Sequence, residues 1–187
     1  MKFSMKKVTV LLADGFEEIE ALTVVDLLRR AKVYVDTVSI TDDYTVRGAH
    51  GIPVQTEDQI TEIDFKESDM IVLPGGMPGT TNLKEDENVR KAVQEAYDDG
   101  RYVAAICAAP TILADMGLLK GKRATCYPDM ESEIEDAYLT GAPVATDENI
   151  ITSQGVGTAI DFALKLIEVL ISEEKAVEIA DSIVYQR

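Results

Sequence analysis

Short strand-like runs rich in apolar and β-branched residues alternate along this chain with longer segments of helical spacing. The runs are KVTVLLA (7–13), VYVDTVSI (33–40), DMIVLPGG (69–76) and YVAAIC (102–107). Apolar residues of the segment 17–31 recur at the spacing of one helix face, at Val24, Leu27, Leu28 and Ala31. Strands that are apolar throughout and alternate with helices predict a mostly parallel sheet covered by helices on both faces. We therefore expect a doubly wound α/β fold.

The rest of the chain continues this pattern. Segment 88–100 has the spacing of an amphipathic helix with Gly100 just past its end, 143–153 is typical of a pair of strands, and a long helical region is predicted from Gly157 onward. No internal repeat and no linker-like segment interrupts the sequence. A chain of 187 residues can bury a sizeable core as one unit, so we predict a single domain over 1–187.

Charge and composition exclude several classes of function. The chain carries 18 basic and 34 acidic residues, a formal net charge of −16, which makes nucleic acid an unlikely partner because its phosphates would be repelled. No apolar run approaches the length of a membrane span, so we expect no membrane partner. The apolar run near the start is closed by Asp14 and fits a first strand better than a secretory signal. Two cysteines without such a signal predict a cytoplasmic protein with free thiols.

Three unusual corners follow predicted strands. They are ADGFEEIE (13–20), PGGMPG (74–79) and CAAP (107–110). In open parallel sheets the binding crevice lies beyond the carboxyl ends of the strands. We therefore expect these corners to meet around one site.

Cys107 stands where a buried strand gives way to a helix that Pro110 can start. Backbone N–H groups at a helix start stabilise a thiolate, which is the reactive form of cysteine. This position predicts a nucleophile. A small buried apolar residue, the ordinary behaviour of a free cysteine, is the alternative.

The other two corners allow two interpretations each. Gly75 and Gly76 would let backbone N–H groups approach an oxyanion, or they simply turn the chain. Glu17 and Glu18 are explained by the favourable electrostatics of a helix start. Glu20 lies at the edge of the apolar stripe, so it could be partly buried and carry a proton to or from a neighbouring sulfur. Periodicity does not separate Glu20 cleanly from Glu17.

The remaining candidate residues are isolated in the sequence. His50, the single histidine, lies in the loop segment RGAHGIP and is expected to be solvated or at an interface rather than paired with a cysteine. Cys126 is expected to lie on a short strand in the core. Two distant cysteines and one histidine lack the number and spacing of metal ligands, so neither a metal nor another cofactor is predicted.

Taken together, these motifs resemble the ThiJ/PfpI superfamily, and within it the branch of deglycases, glyoxalases and redox-regulated chaperones. The matching segments are ADGFEEIE, VLPGG, AAICAAPTIL and ITSQGVGTAIDFAL, which together cover nearly the whole chain. The resemblance implies a flavodoxin-like fold, with the cysteine at a strained strand-to-helix corner. It also implies a homodimer.

The resemblance further implies the roles of the site residues. Cys107 would be the nucleophile, Glu20 a protonated carboxyl in contact with its sulfur, and backbone N–H groups of Gly75, Gly76 and Ala108 would line an anion pocket beside Tyr127. The implied substrates are small reactive carbonyls such as methylglyoxal or early glycation adducts. The alternatives are a sensor of oxidative stress or redox-regulated chaperone that acts through a Cys107 sulfinate, and, less well supported, a cysteine peptidase or amidase.

Three departures from the superfamily pattern reduce the number of functions that the resemblance supports. Ala108 stands where the protease-like branch places a histidine, which removes the usual base of a peptidase. Tyr127 stands where many members of the nearer branch carry a histidine, so proton transfer near neutral pH would be lost at this position. His50 and Gln154 fall where a member of that branch has arginines, which weakens any transfer of its anion-binding surface.

Overall fold

The computed structural model describes residues 5–186, so both ends of the predicted 1–187 domain lie outside the described residues. Eleven strands occur within this range, and most coincide with the apolar runs of the sequence. They are β1 (Lys7–Leu12), β2 (Tyr34–Ser39), β3 (Thr45–Arg47), β4 (Pro53–Gln55), β5 (Asp58–Gln59), β6 (Met70–Leu73), β7 (Tyr102–Ile106), β8 (Arg123–Ala124), β9 (Tyr138–Leu139), β10 (Val144–Asp147) and β11 (Ile150–Ser153).

The strands are separated by six α-helices in the described range. They are α1 (Glu18–Arg30), α2 (Gly79–Glu85), α3 (Glu87–Asp98), α4 (Pro110–Asp115), α5 (Ala159–Leu170) and α6 (Glu173–Ser182). Three short 3₁₀ helices occupy Phe65–Glu67, Pro128–Glu133 and Val156–Thr158. The predicted long terminal helix is therefore two helices, because Ser172 caps the first turn of α6 by accepting a hydrogen bond from the N–H of Lys175 at 3.2 Å.

One sheet in this part of the chain contains seven strands in the order β10-β11-β7-β6-β1-β2-β5. Every neighbouring pair is parallel except β10 and β11. Side chains alternate across it, so Val10 and Leu12 pack on one face and Leu11 on the other. The first face is covered by α1, α5 and α6, and the second by α2, α3 and α4. The predicted doubly wound α/β fold is confirmed.

The strand order brings four chain corners to the same end of the sheet. Strands β11, β7, β6 and β1 are consecutive neighbours and run parallel, so the residues that follow them lie side by side. None of the helices between residues 5 and 186 is long and apolar enough to cross a membrane.

Candidate active site

Cys107 follows β7 directly and is held in a strained backbone conformation. Its φ is +64°, in the left-handed region that a residue with a side chain rarely adopts. The N–H of Cys107 donates to the carbonyl of Ser153 at 3.0 Å, and its carbonyl accepts from the N–H of Tyr127 at 2.8 Å. Contacts on both sides thus maintain a conformation that costs about 1–3 kcal/mol. The side chain is partly exposed, so the corner presents the sulfur at the surface of a rigid sheet.

Glu20 is the acidic residue of the first corner that reaches this sulfur. It lies on the inner face of α1 and is only 1% exposed. Its Oε2 accepts a hydrogen bond from the N–H of Gly75 at 2.9 Å. Its Oε1 is buried without a hydrogen-bond partner in the described range, and the Cys107 thiol lies close enough to the carboxyl to interact with it. Burial raises the pKa of Glu20 to about 7, and the negative charge of Glu17 adds to this increase. Near neutral pH this carboxyl can therefore both donate and accept a proton.

The Cys107 thiol is less acidic in this environment than a helix start alone would make it. Burial raises its pKa, and the ionised Glu20 carboxylate contributes further, to about 12, while the N–H groups of Ala108 and Gly76 act in the opposite direction. The expectation of a thiolate stabilised by the helix start therefore needs correction. An ionised Glu20 carboxylate disfavours the Cys107 thiolate by charge repulsion, whereas a protonated Glu20 can stabilise it. The two side chains therefore share one proton.

Gly75 has a different role from the predicted one. Its N–H donates to Glu20 rather than pointing to the sulfur, so it does not belong to the predicted anion pocket. A Cβ at this position would lie 2.6 Å from Cys107 Cβ and 2.7 Å from Glu20 Oε2, which leaves room only for glycine. Gly75 thus allows the two reactive side chains to meet. The backbone donors that remain near the sulfur belong to Gly76 and Ala108.

The sulfur opens into a cleft of about 430 Å³. Its lining comes from five chain segments, with Glu17, Glu20, Gly76, Cys107, Tyr127, Pro128, Gln154, Gly155, Val156, Gly157 and Thr158. The predicted site left out the last segment, 154–158, in which Gln154 was considered only as a departure from an anion-binding surface, although TSQGVGT is also a glycine-rich corner after a strand. Gly155 has an extended backbone, and a Cβ added there would lie 3.8 Å from Cys107 Sγ. Tyr127 is 44% exposed at the rim.

Glu18 and His50 are hydrogen-bonded to each other next to Glu17. Glu18 is buried, and its carboxylate accepts from the backbone N–H of His50 at 2.7 Å and contacts the ring Nδ1 at 2.8 Å. The electrostatics of a helix start are therefore an incomplete explanation of Glu18. His50 is largely exposed and does not line the cleft, so the described residues contain no Cys-His pair with Cys107.

The same contact bears on the prediction that no metal is bound. Ligand atoms of Glu17, Glu18 and His50 lie within 4.8 Å of one another. His50 Nδ1 is already engaged by Glu18, and the His50 ring lies 3.6 Å from Glu17 Oε2. Hydrogen bonding accounts for this arrangement without an ion, and the absence of a metal stays a prediction.

Cys126 lies in the core, two residues after the end of β8 rather than on it. Its Sγ donates to the carbonyl of Tyr127 at 3.3 Å. Burial raises the pKa of this thiol to about 11, and the nearby Glu131 and Glu133 add to the increase. Cys126 does not line the cleft, so it packs as a small apolar residue.

Comparisons with known proteins agree with this geometry. The DJ-1/PfpI family profile matches residues 6–169. Protein DJ-1 homolog B of Arabidopsis thaliana is 39% identical over 98% of this chain, which spans only 42% of that protein. The glutathione-independent glyoxalase DJ-1 of Schizosaccharomyces pombe is 34% identical, with 91% of this chain and 94% of that protein covered.

Among solved structures, Drosophila melanogaster DJ-1beta superposes with a TM-score of 0.94 at 34% identity, over 98% of this chain and 100% of that one. This agreement confirms the predicted flavodoxin-like fold. The strand order, the strained cysteine corner and the matched sequence all lead to one assignment: the chain belongs to the DJ-1/PfpI family.

Proposed function

We propose that the protein is a cysteine-dependent enzyme of the glyoxalase type, which converts methylglyoxal-like 2-oxoaldehydes to 2-hydroxy acids without a cofactor. The observation that carries this proposal is the contact between the Cys107 thiol and the Glu20 carboxyl at the base of an open cleft. A shared proton near neutral pH suits a reaction that moves protons between neighbouring carbon and oxygen atoms. The glyoxalase name of the fission yeast relative supports the same chemistry.

The first step is addition of sulfur to the aldehyde. Ionised Glu20 takes the proton from the Cys107 thiol as the sulfur attacks the aldehyde carbon, so a C–S bond forms as the C=O π bond opens. The N–H groups of Ala108 and Gly76, which already act on the sulfur, stabilise the negative charge that develops on oxygen. Transfer of the Glu20 proton to that oxygen yields a neutral hemithioacetal and leaves Glu20 ionised.

The second step is an internal proton transfer. Ionised Glu20 removes the hydrogen from the carbon bound to sulfur and passes this proton to the ketone oxygen, so the electron pair forms an enediol. Glu20 then takes the proton from the hydroxyl of the sulfur-bound carbon and delivers it to the neighbouring carbon, which gives a thioester of lactate on Cys107. Water then cleaves the C–S bond, which releases lactate with its proton and restores the thiol. The net reaction is addition of one water to methylglyoxal, so it needs no external oxidant or reductant.

Early glycation adducts are proposed as further substrates of the same residues. Such adducts are hemiacetal-like compounds of a 2-oxoaldehyde with an amine or thiol, and they release or present the same aldehyde carbon to Cys107. The reaction after C–S bond formation would be identical.

The test is lactate formation from methylglyoxal by the wild-type protein in a buffer free of amines and thiols. We expect lactate to accumulate in proportion to protein concentration, and glutathione to be unnecessary. A rate equal to that of the protein-free blank would contradict the proposal. A rate that depends on added glutathione would also contradict it, because Cys107 would then not be the thiol that attacks the aldehyde.

A second candidate function is a sensor of oxidation, favoured by the different burial of the two thiols. Cys107 is partly exposed, whereas Cys126 is buried. Two equivalents of peroxide would convert the Cys107 thiol to a sulfinate with release of two water molecules. We expect mild peroxide to add two oxygen atoms to the Cys107 peptide before the Cys126 peptide changes, as measured by mass spectrometry. Equal resistance or equal oxidation of the two peptides would rule out a selective sensor.

A further inference from the structure

The cleft beside Cys107 has an unbalanced charge. Its lining includes the carboxyl groups of Glu17 and Glu20 and, among residues 5–186, no lysine, arginine or histidine. His50 does not line the cleft; its ring Nδ1 lies 3.6 Å from Glu17 Oε2 and is engaged more closely by Glu18 at 2.8 Å. A bound substrate would therefore meet negative charge that no cation in the lining offsets.

Glu17 is the main source of the negative charge in the cleft. Glu20 shares its proton with Cys107, as described above, whereas the negative charge of Glu17 already acts on Glu20 at short range. The Glu17 side chain is 13% exposed, so water screens it only in part. Its backbone N–H donates to the carbonyl of Gly75, which fixes the residue at the cleft wall independently of its side chain.

The opposite wall supplies no compensating charge. Gln154 is a neutral amide whose Nε2 donates to the carbonyl of Gly141 at 3.4 Å. Its neighbours in the lining are Gly155, Val156, Gly157 and Thr158, none of which is charged. The net charge of −16 for the whole chain adds a long-range field of the same sign.

We infer that the cleft selects carbonyl substrates by charge: it accepts neutral or cationic 2-oxoaldehydes and disfavours those that carry a carboxylate or phosphate, with Glu17 as the residue that sets this selectivity. The inference rests on the proposed function, because it concerns the same cleft. Like charges about 8 Å apart, at an effective dielectric constant of about 30, change a rate constant by about tenfold. This repulsion slows the reaction of anionic substrates and does not act on neutral ones, so the cleft discriminates between the two classes.

The test compares phenylglyoxals that differ in charge. The probes are 4-carboxyphenylglyoxal and its methyl ester, which is uncharged and slightly larger, so steric exclusion would act against the ester. We expect kcat/KM of the wild type to be about tenfold lower for the carboxylate than for the ester. We expect Glu17→Gln to reduce this ratio to about two, and Gln154→Arg to reduce or reverse it. High salt should also reduce the wild-type ratio, because it screens the repulsion.

The control variant is Glu85→Gln, which removes one negative charge from an exposed position on α2 outside this cleft. It should leave the ratio at its wild-type value, and a change equal to that of Glu17→Gln would assign the effect to net charge and overturn the role of Glu17. Equal wild-type rates on the two probes would overturn the inference while leaving the proposed function intact. Failure of the proposed function would appear differently, as loss of turnover on both probes and on methylglyoxal.

Discussion

Replacement of Cys107 with alanine is expected to abolish lactate formation from methylglyoxal, with a loss of at least about 10³-fold in kcat. In the proposed reaction a carbon–sulfur bond to Cys107 forms in the first step and is broken only when lactate is released. No other thiol lines the cleft in the described part of the chain. The measurement is lactate production under single-turnover and steady-state conditions. The folded state should persist, because alanine keeps the β-carbon and bears the same backbone strain as cysteine, and the thiol is lost from a partly exposed position.

Cys126→Ala is the matched control for this variant. It removes the second thiol of the chain, which lies in the core and outside the cleft. We expect it to lower the free energy of unfolding by about 1 kcal/mol, through loss of buried contacts, and to keep most of the wild-type activity. Full activity in Cys107→Ala, or loss of activity only in Cys126→Ala, would remove Cys107 from the mechanism.

Glu20→Gln is expected to lower kcat by about 10²- to 10³-fold, which is typical for loss of a general acid-base group. The amide oxygen can still accept from the N–H of Gly75, so the side chain should keep its place, but it can no longer transfer a proton. The wild-type rate should change with pH around the Glu20 pKa of about 7, and this transition should be absent from the residual activity of the variant.

The same substitution should alter the pH dependence of stability. The pKa of Glu20 is raised in the folded state, from about 4.5 to about 7, so the folded protein binds this proton more tightly than the unfolded chain does. Its stabilising effect is complete below about pH 4.5 and is lost as the pH rises through 7. We expect urea unfolding to show Glu20→Gln more stable than wild type by about 1–3 kcal/mol at about pH 8.

Glu85→Gln serves as the control for both measurements, because this glutamate is exposed and does not line the cleft that Glu20 lines. It should follow the wild type in rate and in stability at each pH. Unchanged activity in Glu20→Gln would contradict its role as a proton shuttle. A difference in stability between Glu20→Gln and the wild type that stays the same from about pH 5 to about pH 8 would show that Glu20 does not bind the proton, because the buried Asp36, whose pKa is also raised, contributes equally to both proteins.

The sequence was sufficient to predict the sheet and the three corners that meet at Cys107. Continuous apolar runs identify buried parallel strands, and their carboxyl ends necessarily converge. Helix α2 was not predicted, because its segment GTTNLKE has neither an apolar stripe nor a strong cap and depends on packing of Leu83 in the core. Local propensity carries little information about such tertiary stabilisation.

The contacts within the site were harder to predict than its position. Sequence periodicity placed Glu17 and Glu20 near the same edge of α1, and only three-dimensional packing distinguishes the buried Glu20 from Glu17. The Glu18–His50 contact depends on a loop 32 residues away, and the N–H of Gly75 is directed to Glu20 by the local path of the chain. The pKa of Cys107 depends on burial and on a neighbouring charge, neither of which the helix start alone reveals.

The glycines of the cleft divide its walls into a fixed side and an adaptable side. Gly75 has no room for a methyl group, and a Cβ at Gly76 would lie 2.4 Å from the backbone nitrogen of Glu17. A Cβ at Gly155 would make only ordinary contacts, at 3.7 Å or more, and one at Gly157 would meet open space. Side chains added at positions 155 and 157 would narrow the cleft toward smaller aldehydes, while the wall that holds the thiol and its acid stays unchanged.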